Sequence, residues 1–327
     1  MSRKSRRGLY LLILIAASLV IFFATRDSGP SSPQENKTIN QSSNATIFPT
    51  TNITDNPSSQ SNISSIRIAS FNIQIFGESK RSKTEVMDIL ARIAREFDVM
   101  AVQELRDDTE TTLPIYLEKI NSLPGPHYAS VSSPRLGRTS SKENYAFIFN
   151  TDALRLISNY TFADPPEGTT TDLFQREPFI SRFETLDGSY DFVLIVIHTE
   201  PDTTPAELGN LTLALDDARK RFPDETDFIM LGDMNADCSY LSASEAGSLP
   251  LRNSSFTWVV PDSADTTTKS TDCAYDRIIL AGDAAGGYSG GWGVYRFDEA
   301  YGLDQNMTED ISDHYPVWAR FDPTGKN

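Results

Sequence analysis

The sequence predicts an α+β domain in which two β-sheets pack against each other and helices lie outside them. Short apolar segments with strand character, such as 98–105, mix with amphipathic helices such as 82–97. Hydrophobic residues make up 39% of the 327-residue chain, which is enough for a large buried core. After Ser65 the sequence has no internal repeat and no linker-like break. Residues 66–327 are therefore predicted to be one layered domain.

Residues 1–26 are predicted to be an export segment. Four basic residues precede an uninterrupted apolar run at 9–24, and Arg26 follows it. The run is long for the apolar region of a signal peptide and slightly short for a membrane-spanning helix. The charge difference places the N-terminus inside and the rest of the chain outside. We predict an uncleaved signal anchor, with a cleaved signal peptide as the alternative. Either one makes the protein extracellular or exposed at the cell surface.

Residues 27–65 are rich in Ser, Thr, Asn, Gln and Pro and contain almost no large apolar side chains. Such a segment cannot bury enough surface to fold, so it is predicted to be a disordered stalk. The N-glycosylation pattern N-x-S/T recurs along the chain, although Asn- and Ser-rich stretches also produce it by chance. It occurs at Asn36, Asn40, Asn44, Asn52, Asn62, Asn159, Asn210, Asn253 and Asn306.

Charge limits the ways in which this protein can bind a polyanion. The formal net charge is −16, and the first 65 residues hold six basic and three acidic residues, which leaves a net charge of −19 on the rest. A domain this acidic does not bind nucleic acid through bulk electrostatic attraction. Binding would have to depend on local arginines and metal ions.

The secondary structure is predicted from hydrophobic periodicity. A helix at 82–97 begins with a capping box formed by Ser82 and Glu85, and a second helix is predicted at 205–222. The short apolar strand at 98–105 is predicted to be central in its sheet. The predicted strands are 66–73, 98–105, 145–150, 192–198, 227–235, 275–282 and 311–321.

Polar groups recur at the ends of these apolar strands. The segment 311–321 alternates like a strand but carries Asp313 and His314 near its start. Other strand ends carry Asn72, Glu104, His198, Asp233, Asn235 and Asp276. Each one alone is explained by a turn or a surface charge. Because strand ends converge on one edge of a sheet, the recurrence predicts a shared site.

The residue types at these strand ends indicate a chemistry. Carboxylates and amides are hard oxygen ligands suited to Mg²⁺, Mn²⁺ or Ca²⁺, and the sequence has no His/Cys cluster for zinc. Two histidines with carboxylate partners supply a base that activates water and an acid that protonates a leaving oxygen. A metal ion together with paired histidines suggests phosphodiester hydrolysis.

Successive motifs of the chain resemble the deoxyribonuclease I family, in the same order and with similar spacing, from about residue 66 to 321. The motifs are SFNIQIFGESK, VQELRD, GRTSSKENYAF, FQREP, VIHTEP, LGDMNADCSY, PDSADTTTKSTDCAYDRI and ISDHYPV. QE, GDxN and SDH are shared with the wider superfamily of endonucleases, exonucleases and phosphatases. GDMNADCSY and SDHYP are more specific to the nuclease branch. The resemblance implies a four-layer α/β/β/α sandwich.

The resemblance also implies a role for individual residues. Glu104 would be the principal ligand of a catalytic Mg²⁺ or Mn²⁺, and Asn72, Asp233, Asn235 and Asp313 would complete the metal and phosphate site. His198 would pair with Glu143, and His314 with Asp276. The assignment of base and acid between the two histidines stays open. The residues implied to contact DNA are Arg106, Arg176 and Tyr275.

Two cysteines, Cys238 and Cys273, lie in a domain predicted to be exported, where a disulfide is expected. The pair also matches a disulfide of the family. A second, small disulfide of the mammalian enzymes is absent, because the segment ADPPEGTTTDLF has no cysteine. Structural Ca²⁺ is expected at Asp265 and Thr267 and at Asp172, with a Thr/Asp-rich loop that binds no metal as the alternative.

Ser141 departs from the family pattern, and His127 lies outside every catalytic motif. Family nucleases carry an aromatic side chain between the Ser and Lys of the GR…KE loop, where it stacks in the DNA minor groove, and this chain has Ser141. The substitution is expected to weaken duplex binding. His127 matches no catalytic motif and is predicted to be structural or exposed.

Three functions are compatible with the sequence. The first is a secreted or membrane-tethered, metal-dependent endonuclease with DNA as substrate, little sequence specificity, a monomeric state and no implied protein partner. The second is a phosphodiesterase or phosphatase of the same fold that acts on lipid head groups or nucleotides, as sphingomyelinases do. The third is a surface binding protein that has lost catalysis. We favour the first, because Arg106, REP and SDHYP are typical of the nucleases and every metal ligand and histidine is retained.

Overall fold

The computed structural model describes residues 63–165 and 171–322. The predicted export segment at 1–26 lies outside these residues, as does the stalk up to residue 62. Among the helices that are described, none combines the length and apolar character needed to cross a membrane.

The described residues form two six-stranded β-sheets. The first sheet has the order β11-β12-β1-β2-β4-β3. Its strands are β1 (Ile66–Phe76), β2 (Val99–Leu105), β3 (Tyr128–Ser132), β4 (Asn144–Asn150), β11 (Tyr288–Val294) and β12 (Val317–Phe321). β1 and β2 are parallel, and β12 is antiparallel to β1. The polar ends of β1 and β2 therefore lie at the same edge of the sheet as the start of β12.

The second sheet has the order β5-β6-β7-β8-β10-β9. Its strands are β5 (Leu154–Thr161), β6 (Phe179–Thr185), β7 (Asp191–His198), β8 (Asp227–Asp233), β9 (Phe256–Trp258) and β10 (Asp276–Gly282). β7 and β8 are parallel, and β10 is antiparallel to β8. This arrangement aligns the ends of β7 and β8 with the start of β10.

Helices pack against the outer faces of both sheets. The helices are α1 (Glu78–Arg81), α2 (Thr84–Ala94), α3 (Thr112–Asn121), α4 (Thr204–Arg221), α5 (Ala243–Ser248), α6 (Ala284–Gly287), α7 (Phe297–Tyr301) and α8 (Gln305–Ile311). Two short 3-10 turns lie at Pro201–Thr203 and Pro250–Arg252. In α2 the residues Val86, Leu90 and Ile93 are buried against the first sheet, as the helical spacing requires.

Three hydrophobic clusters correspond to the three interfaces of the sandwich. The central cluster joins the inner faces of the two sheets and includes Phe147, Phe179 and Phe183. A second cluster packs α2, α3 and α8 against the first sheet, and a third packs α4 against the second sheet. This arrangement confirms the predicted α+β class and the four-layer α/β/β/α architecture.

Two local predictions are wrong. Ser82 and Glu85 do not form a capping box, because Ser82 ends the preceding short helix α1 and its hydroxyl donates to the carbonyl of Ser79 at 2.8 Å. A strand was predicted at 311–321. Its first residue, Ile311, is instead the last residue of α8, and only Val317–Phe321 forms a strand. A buried turn at the end of α8 therefore replaces the first half of the predicted strand.

The helix predicted at 205–222 is present and spans Thr204–Arg221.

Candidate active site

The predicted polar strand ends meet at one edge of the sandwich. In the second sheet, the register places His198 opposite Asp233 and Asp233 opposite Asp276 on three adjacent strands. The close approach of β7 and β8 here depends on Gly232, which has a φ of 149°. A Cβ atom at Gly232 would lie 1.8 Å from the carbonyl oxygen of Ile197. Glycine is therefore required directly before Asp233.

Asp233 lies between the two predicted catalytic histidines. Its Oδ2 atom is 3.5 Å from Nε2 of His198 and 3.5 Å from Nε2 of His314. Oδ2 also accepts a 2.9 Å hydrogen bond from the amide of Asn72, which comes from the first sheet. The two imidazoles together lower the pKa of Asp233 against the opposing effect of its complete burial. Asp233 is thus held as a carboxylate at the centre of the site.

Each histidine has its own carboxylate on the other ring nitrogen. Nδ1 of His198 is 2.8 Å from Oε1 of Glu143, and Nδ1 of His314 is 2.8 Å from Oδ2 of Asp276. Burial disfavours the charged imidazoles, but these carboxylates outweigh it. The pKa of His198 is raised, and that of His314 is raised to about 10. Both pairings implied by the family resemblance are present in the geometry.

Glu104 is held in position by a strained backbone. It has a φ of 60° where the β1–β2 register shifts. Its carboxylate accepts hydrogen bonds from the amide of Asn72 at 3.2 Å and from the backbone N–H of Ile75 at 2.8 Å. A non-glycine residue in the left-handed region costs free energy and is typical of functional sites. In this conformation the Glu104 carboxylate shares the amide nitrogen of Asn72 with Asp233.

The oxygen atoms around Asn72 are suited to a hard divalent cation. The Oδ1 atom of Asn72 is buried and has no hydrogen-bond partner among the described residues, while its amide nitrogen bonds two carboxylates. An acceptor oxygen in this condition is costly unless something electropositive binds it. Asp233, Asp276 and His314 also offer ligand atoms within 4.8 Å of one another. Asp276 and His314 are already hydrogen-bonded to each other. The carboxylates of Glu104 and Asp233, together with Asn72, are therefore the better ligand set.

Asp313 lies beside His314, and Asn235 contacts Thr199, the residue that follows His198. Asp313 accepts hydrogen bonds from Gln74 at 2.8 Å and from Lys269 at 3.2 Å, and its Oδ1 is 3.9 Å from His314. Asn235 has a φ of 45°, and its amide donates to the carbonyl of Thr199 at 2.9 Å.

A groove of about 340 Å³ borders His198 on the side of the predicted DNA-binding arginines. It is lined by Glu104, Arg106, Thr139, Ser141, Gln175, Arg176, His198, Glu200 and Pro201. Arg106 is partly exposed and lies 3.3 Å from Glu104 and 3.6 Å from Glu143. Arg176 is 5% exposed, and its guanidinium donates to the carbonyls of His198 and Thr199. Arg176 therefore also braces the end of β7, and its contact with DNA stays a prediction.

Tyr275, the third residue predicted to contact DNA, lies on the opposite side of the site, beside His314. Its ring is half-buried and 6.1 Å from the ring of His314, and it packs at 5.4 Å on Tyr240. His127 lies apart from the site, and its side chain is exposed.

The predicted disulfide is present, with 5.9 Å between the Cα atoms of Cys238 and Cys273. The predicted calcium residues have protein partners. Asp265 accepts hydrogen bonds from the backbone and the hydroxyl of Thr267 and lies 3.6 Å from Arg296. Asp172 forms a 2.6 Å ion pair with Arg138.

Several residues that contact the predicted site residues were not predicted from the sequence. Tyr145 accepts a 2.9 Å hydrogen bond from the backbone N–H of His198, and Ser312 donates to the carbonyl of Asn72 at 2.6 Å. Gln74 and Lys269 both bind Asp313. Gln74 follows Asn72 by two residues, which was a usable signal. Lys269 is 44 residues from Asp313, so nothing in the local sequence indicated the contact.

A further group that was not predicted from the sequence consists of the acidic residues beside Asp172. Burial, followed by the contact with Asp172, raises the pKa of Asp164, and burial raises that of Glu177. Four acidic residues within fourteen positions, Asp164, Glu167, Asp172 and Glu177, were a sequence signal for a cation-binding loop.

Comparison with known proteins agrees with this geometry. Residues 69–314 match the Endonuclease/Exonuclease/phosphatase family. The chain is 40% identical over 257 residues to deoxyribonuclease-1 of Gallus gallus, covering 77% of this chain and 90% of that protein. It is 38% identical to deoxyribonuclease gamma of Rattus norvegicus, covering 77% of this chain and 83% of that protein.

Solved structures share the fold at low sequence identity. An endonuclease/exonuclease/phosphatase family protein from Bacteroides thetaiotaomicron superposes with a TM-score of 0.56 at 16% identity, covering 79% of this chain and 95% of that chain. TDP2 of D. rerio, solved with a single-strand DNA product, superposes with a TM-score of 0.54 at 15% identity, covering 79% of this chain and 99% of that chain. The sequence match, together with the two histidine–carboxylate pairs around Asp233, shows that the chain belongs to the endonuclease/exonuclease/phosphatase family.

Proposed function

We propose that this protein is a divalent-metal-dependent endonuclease that hydrolyses phosphodiester bonds of DNA with little sequence specificity. The observation that carries the proposal is the arrangement of His198 and His314 at equal distances from Asp233, each with a carboxylate on its outer nitrogen. Similarity to proteins named deoxyribonuclease-1 and deoxyribonuclease gamma supports DNA as the substrate.

Hydrolysis of a phosphodiester needs one proton removed and one supplied. A water oxygen attacks phosphorus and loses its proton to one imidazole, while the other imidazole protonates the oxygen that leaves as the P–O bond breaks. Glu143 and Asp276 orient the two rings and stabilise the imidazolium form of each. The arrangement supports either direction of proton transfer, so we leave the base and the acid unassigned.

Glu104, Asn72 and Asp233 would hold the metal ion, supported by Asn235 and Asp313. Bound there, Mg²⁺ or Mn²⁺ would offset the charge that develops on the phosphoryl oxygens. The orphaned Oδ1 of Asn72 and the converging carboxylates support this ligand set. Structural Ca²⁺ at Asp265 and Thr267 and at Asp172 is part of the same proposal. An ion bound at Asp172 would relieve the repulsion between Asp164 and Asp172.

The chain is proposed to act outside the cell as a monomer, carried there by residues 1–26. The basic residues and the apolar run of this segment support export, either as a signal anchor or as a signal peptide. The mass of the mature protein recovered from a secreting host distinguishes the two, because cleavage removes the segment.

A plasmid-nicking assay tests the function. Covalently closed supercoiled plasmid has no free ends, so conversion to relaxed and linear forms reports endonuclease activity alone. We expect cleavage with Mg²⁺ and none with EDTA. The double variant His198→Ala/His314→Ala, purified in parallel, controls for contaminating nuclease. Hydrolysis of sphingomyelin or an inositol phosphate with intact plasmid would instead establish the phosphodiesterase or phosphatase alternative.

A further inference from the structure

Lys269 lies at the margin of the site, on the side of His314. Its Nζ atom is 3.2 Å from Oδ2 of Asp313, and its side chain is 47% exposed. The same Asp313 oxygen accepts a hydrogen bond from Gln74. The role assigned to the site so far makes no use of this ammonium group.

The backbone on which Lys269 is mounted is fixed to the active-site segment. Thr268 donates from its backbone N–H to the carbonyl of Asp313 at 3.0 Å and from its hydroxyl to the carbonyl of Ser312 at 2.9 Å. Thr267 forms a β-bridge with His314. Thr267 and Thr268 are each 5% exposed, whereas Lys269 extends into solvent. The base of the lysine is therefore held in place while its flexible stem leaves the ammonium free to reorient.

The charged groups form a continuous series across the mouth of the site. In order along the series they are Arg106, Glu143, His198, Asp233, His314, Asp313 and Lys269, with successive contacts of 3.6, 2.8, 3.5, 3.5, 3.9 and 3.2 Å. Arg106 and Lys269 are the two ends of the series and both are accessible to solvent. Arg176, next to Arg106, is buried and donates to backbone carbonyls. Within this series the two histidines thus have an accessible cation at each end.

We propose that Lys269 binds a backbone phosphate of the DNA strand on the His314 side of the scissile phosphodiester, opposite the phosphate bound near Arg106. This inference rests on the proposed nuclease function. Asp313 acts as the counter-ion of Lys269 in the free protein, and a phosphate takes its place when substrate binds. A phosphate contact away from the reacting atoms stabilises the ground state and the transition state equally, so it lowers KM with little effect on kcat. Such a contact carries no sequence preference.

The test compares Lys269→Gln and Lys269→Arg with the control Lys83→Gln. Lys83 is a matched control because it forms a 2.7 Å ion pair with Asp310 and is 45% exposed, but it does not border the histidines. Plasmid cleavage is measured with constant Mg²⁺ over a range of NaCl concentrations. Hydrolysis of bis(p-nitrophenyl) phosphate, which has no flanking phosphate, is measured in parallel.

For Lys269→Gln we expect KM for DNA to rise about threefold to tenfold, with kcat within about twofold of wild type. The slope of log KM against log salt should become shallower by about one, because one phosphate contact is lost. Hydrolysis of the small phosphodiester should not change. Lys269→Arg should retain the wild-type salt slope, and Lys83→Gln should match wild type in every assay.

Two results would overturn the proposal. An unchanged KM and salt slope for Lys269→Gln would mean that Lys269 does not contact DNA. A fall in kcat on both DNA and the small substrate would mean that Lys269 acts by positioning Asp313. DNA binding by fluorescence anisotropy, with Lys269→Gln added to the His198→Ala variant, gives the salt slope without cleavage. If wild type cleaves no DNA, the nuclease function fails, and this binding measurement still decides the role of Lys269.

Discussion

The Oδ2 atom of Asp233 lies 3.5 Å from Nε2 of His314. The same oxygen lies 3.5 Å from Nε2 of His198, so one carboxylate is shared by two imidazoles, one at the end of a strand of the second sheet and one in the turn that leads into a strand of the first. His198 ends β7 of the second sheet, whereas His314 lies three positions before Val317, the first residue of β12 in the first sheet. The site is therefore built across the interface between the two sheets.

Loss of either histidine should remove proton transfer. His198→Ala or His314→Ala is expected to lower DNA cleavage by at least about 10²-fold with the fold intact. His127→Ala is the matched control, because His127 is exposed and lies apart from the site. Plasmid-nicking rates and circular dichroism spectra of the three variants provide the measurement. A variant at 198 or 314 with near-wild-type activity would remove that histidine from the mechanism.

Glu104→Gln should lower cleavage by about 100-fold or more at ordinary Mg²⁺ concentrations, because an amide is a far weaker ligand for a hard cation than a carboxylate. Glu118→Gln, at an exposed position on α3, is the control. The rate is measured as Mg²⁺ is titrated. A Mg²⁺ dependence like that of wild type would show that Glu104 is not a ligand.

Ser141→Tyr should improve cleavage of duplex DNA. Ser141 is exposed in the groove, and its hydroxyl is 3.4 Å from Arg106, so a tyrosine there could stack on the substrate. One aromatic contact with a base is typically about 1–3 kcal/mol, which corresponds to a KM lower by about 5-fold to 150-fold. The exposed Ser254, replaced by Tyr, serves as the control. Equal improvement on a small phosphodiester would argue against a groove contact.

Removal of the disulfide should destabilise the domain. Cys238 and Cys273 are separated by 35 residues, and closure of a loop of this length contributes roughly 4 kcal/mol in the loop-entropy treatment. The free energy of unfolding of Cys238→Ser/Cys273→Ser, measured by urea titration, should be lower by up to this amount. Two free thiols found by mass spectrometry in the natively exported protein would reject the bridge.

The paired His314 should make stability depend on pH in metal-free buffer. Its pKa is raised from 6.5 to about 10, despite burial, mainly by Asp276 and Asp233. The folded state therefore binds more protons than the unfolded state between these values. The stabilisation is fully present below pH 6.5 and is lost as the pH rises to about 10, with a slope of up to about 1.4 kcal/mol per pH unit.

The comparison for this effect is His314→Asn, which cannot titrate. With EDTA present, the difference in unfolding free energy between wild type and variant should shrink from pH 6.5 to 10. A difference that stays constant over this range would mean that His314 is neutral in the folded protein.

Much of the fold could be read from local patterns. The strand Val99–Leu105 and the helix Thr204–Arg221 were predicted within one residue, because apolar runs and amphipathic periodicity are properties of adjacent residues. The edge strand Leu154–Thr161 was missed because its side chains do not alternate between apolar and polar: exposed and half-buried positions alternate, but Ile157 is exposed while Ser158 is half-buried. The capping box at Ser82 failed because a neighbouring helix, α1, ends at that residue.

The sequence by itself determined the residue types at the strand ends and, through their resemblance to a known family, the partners of the two histidines. Only the tertiary structure decided the distances. Asn72 and Asp233 are 161 positions apart, and Lys269 and Asp313 are 44 apart, yet each pair is in hydrogen-bond contact. The structure likewise decided that Arg176 is buried while Arg106 is accessible. Such contacts depend on how two sheets pack, and packing depends on the whole hydrophobic core rather than on residues near each other in the chain.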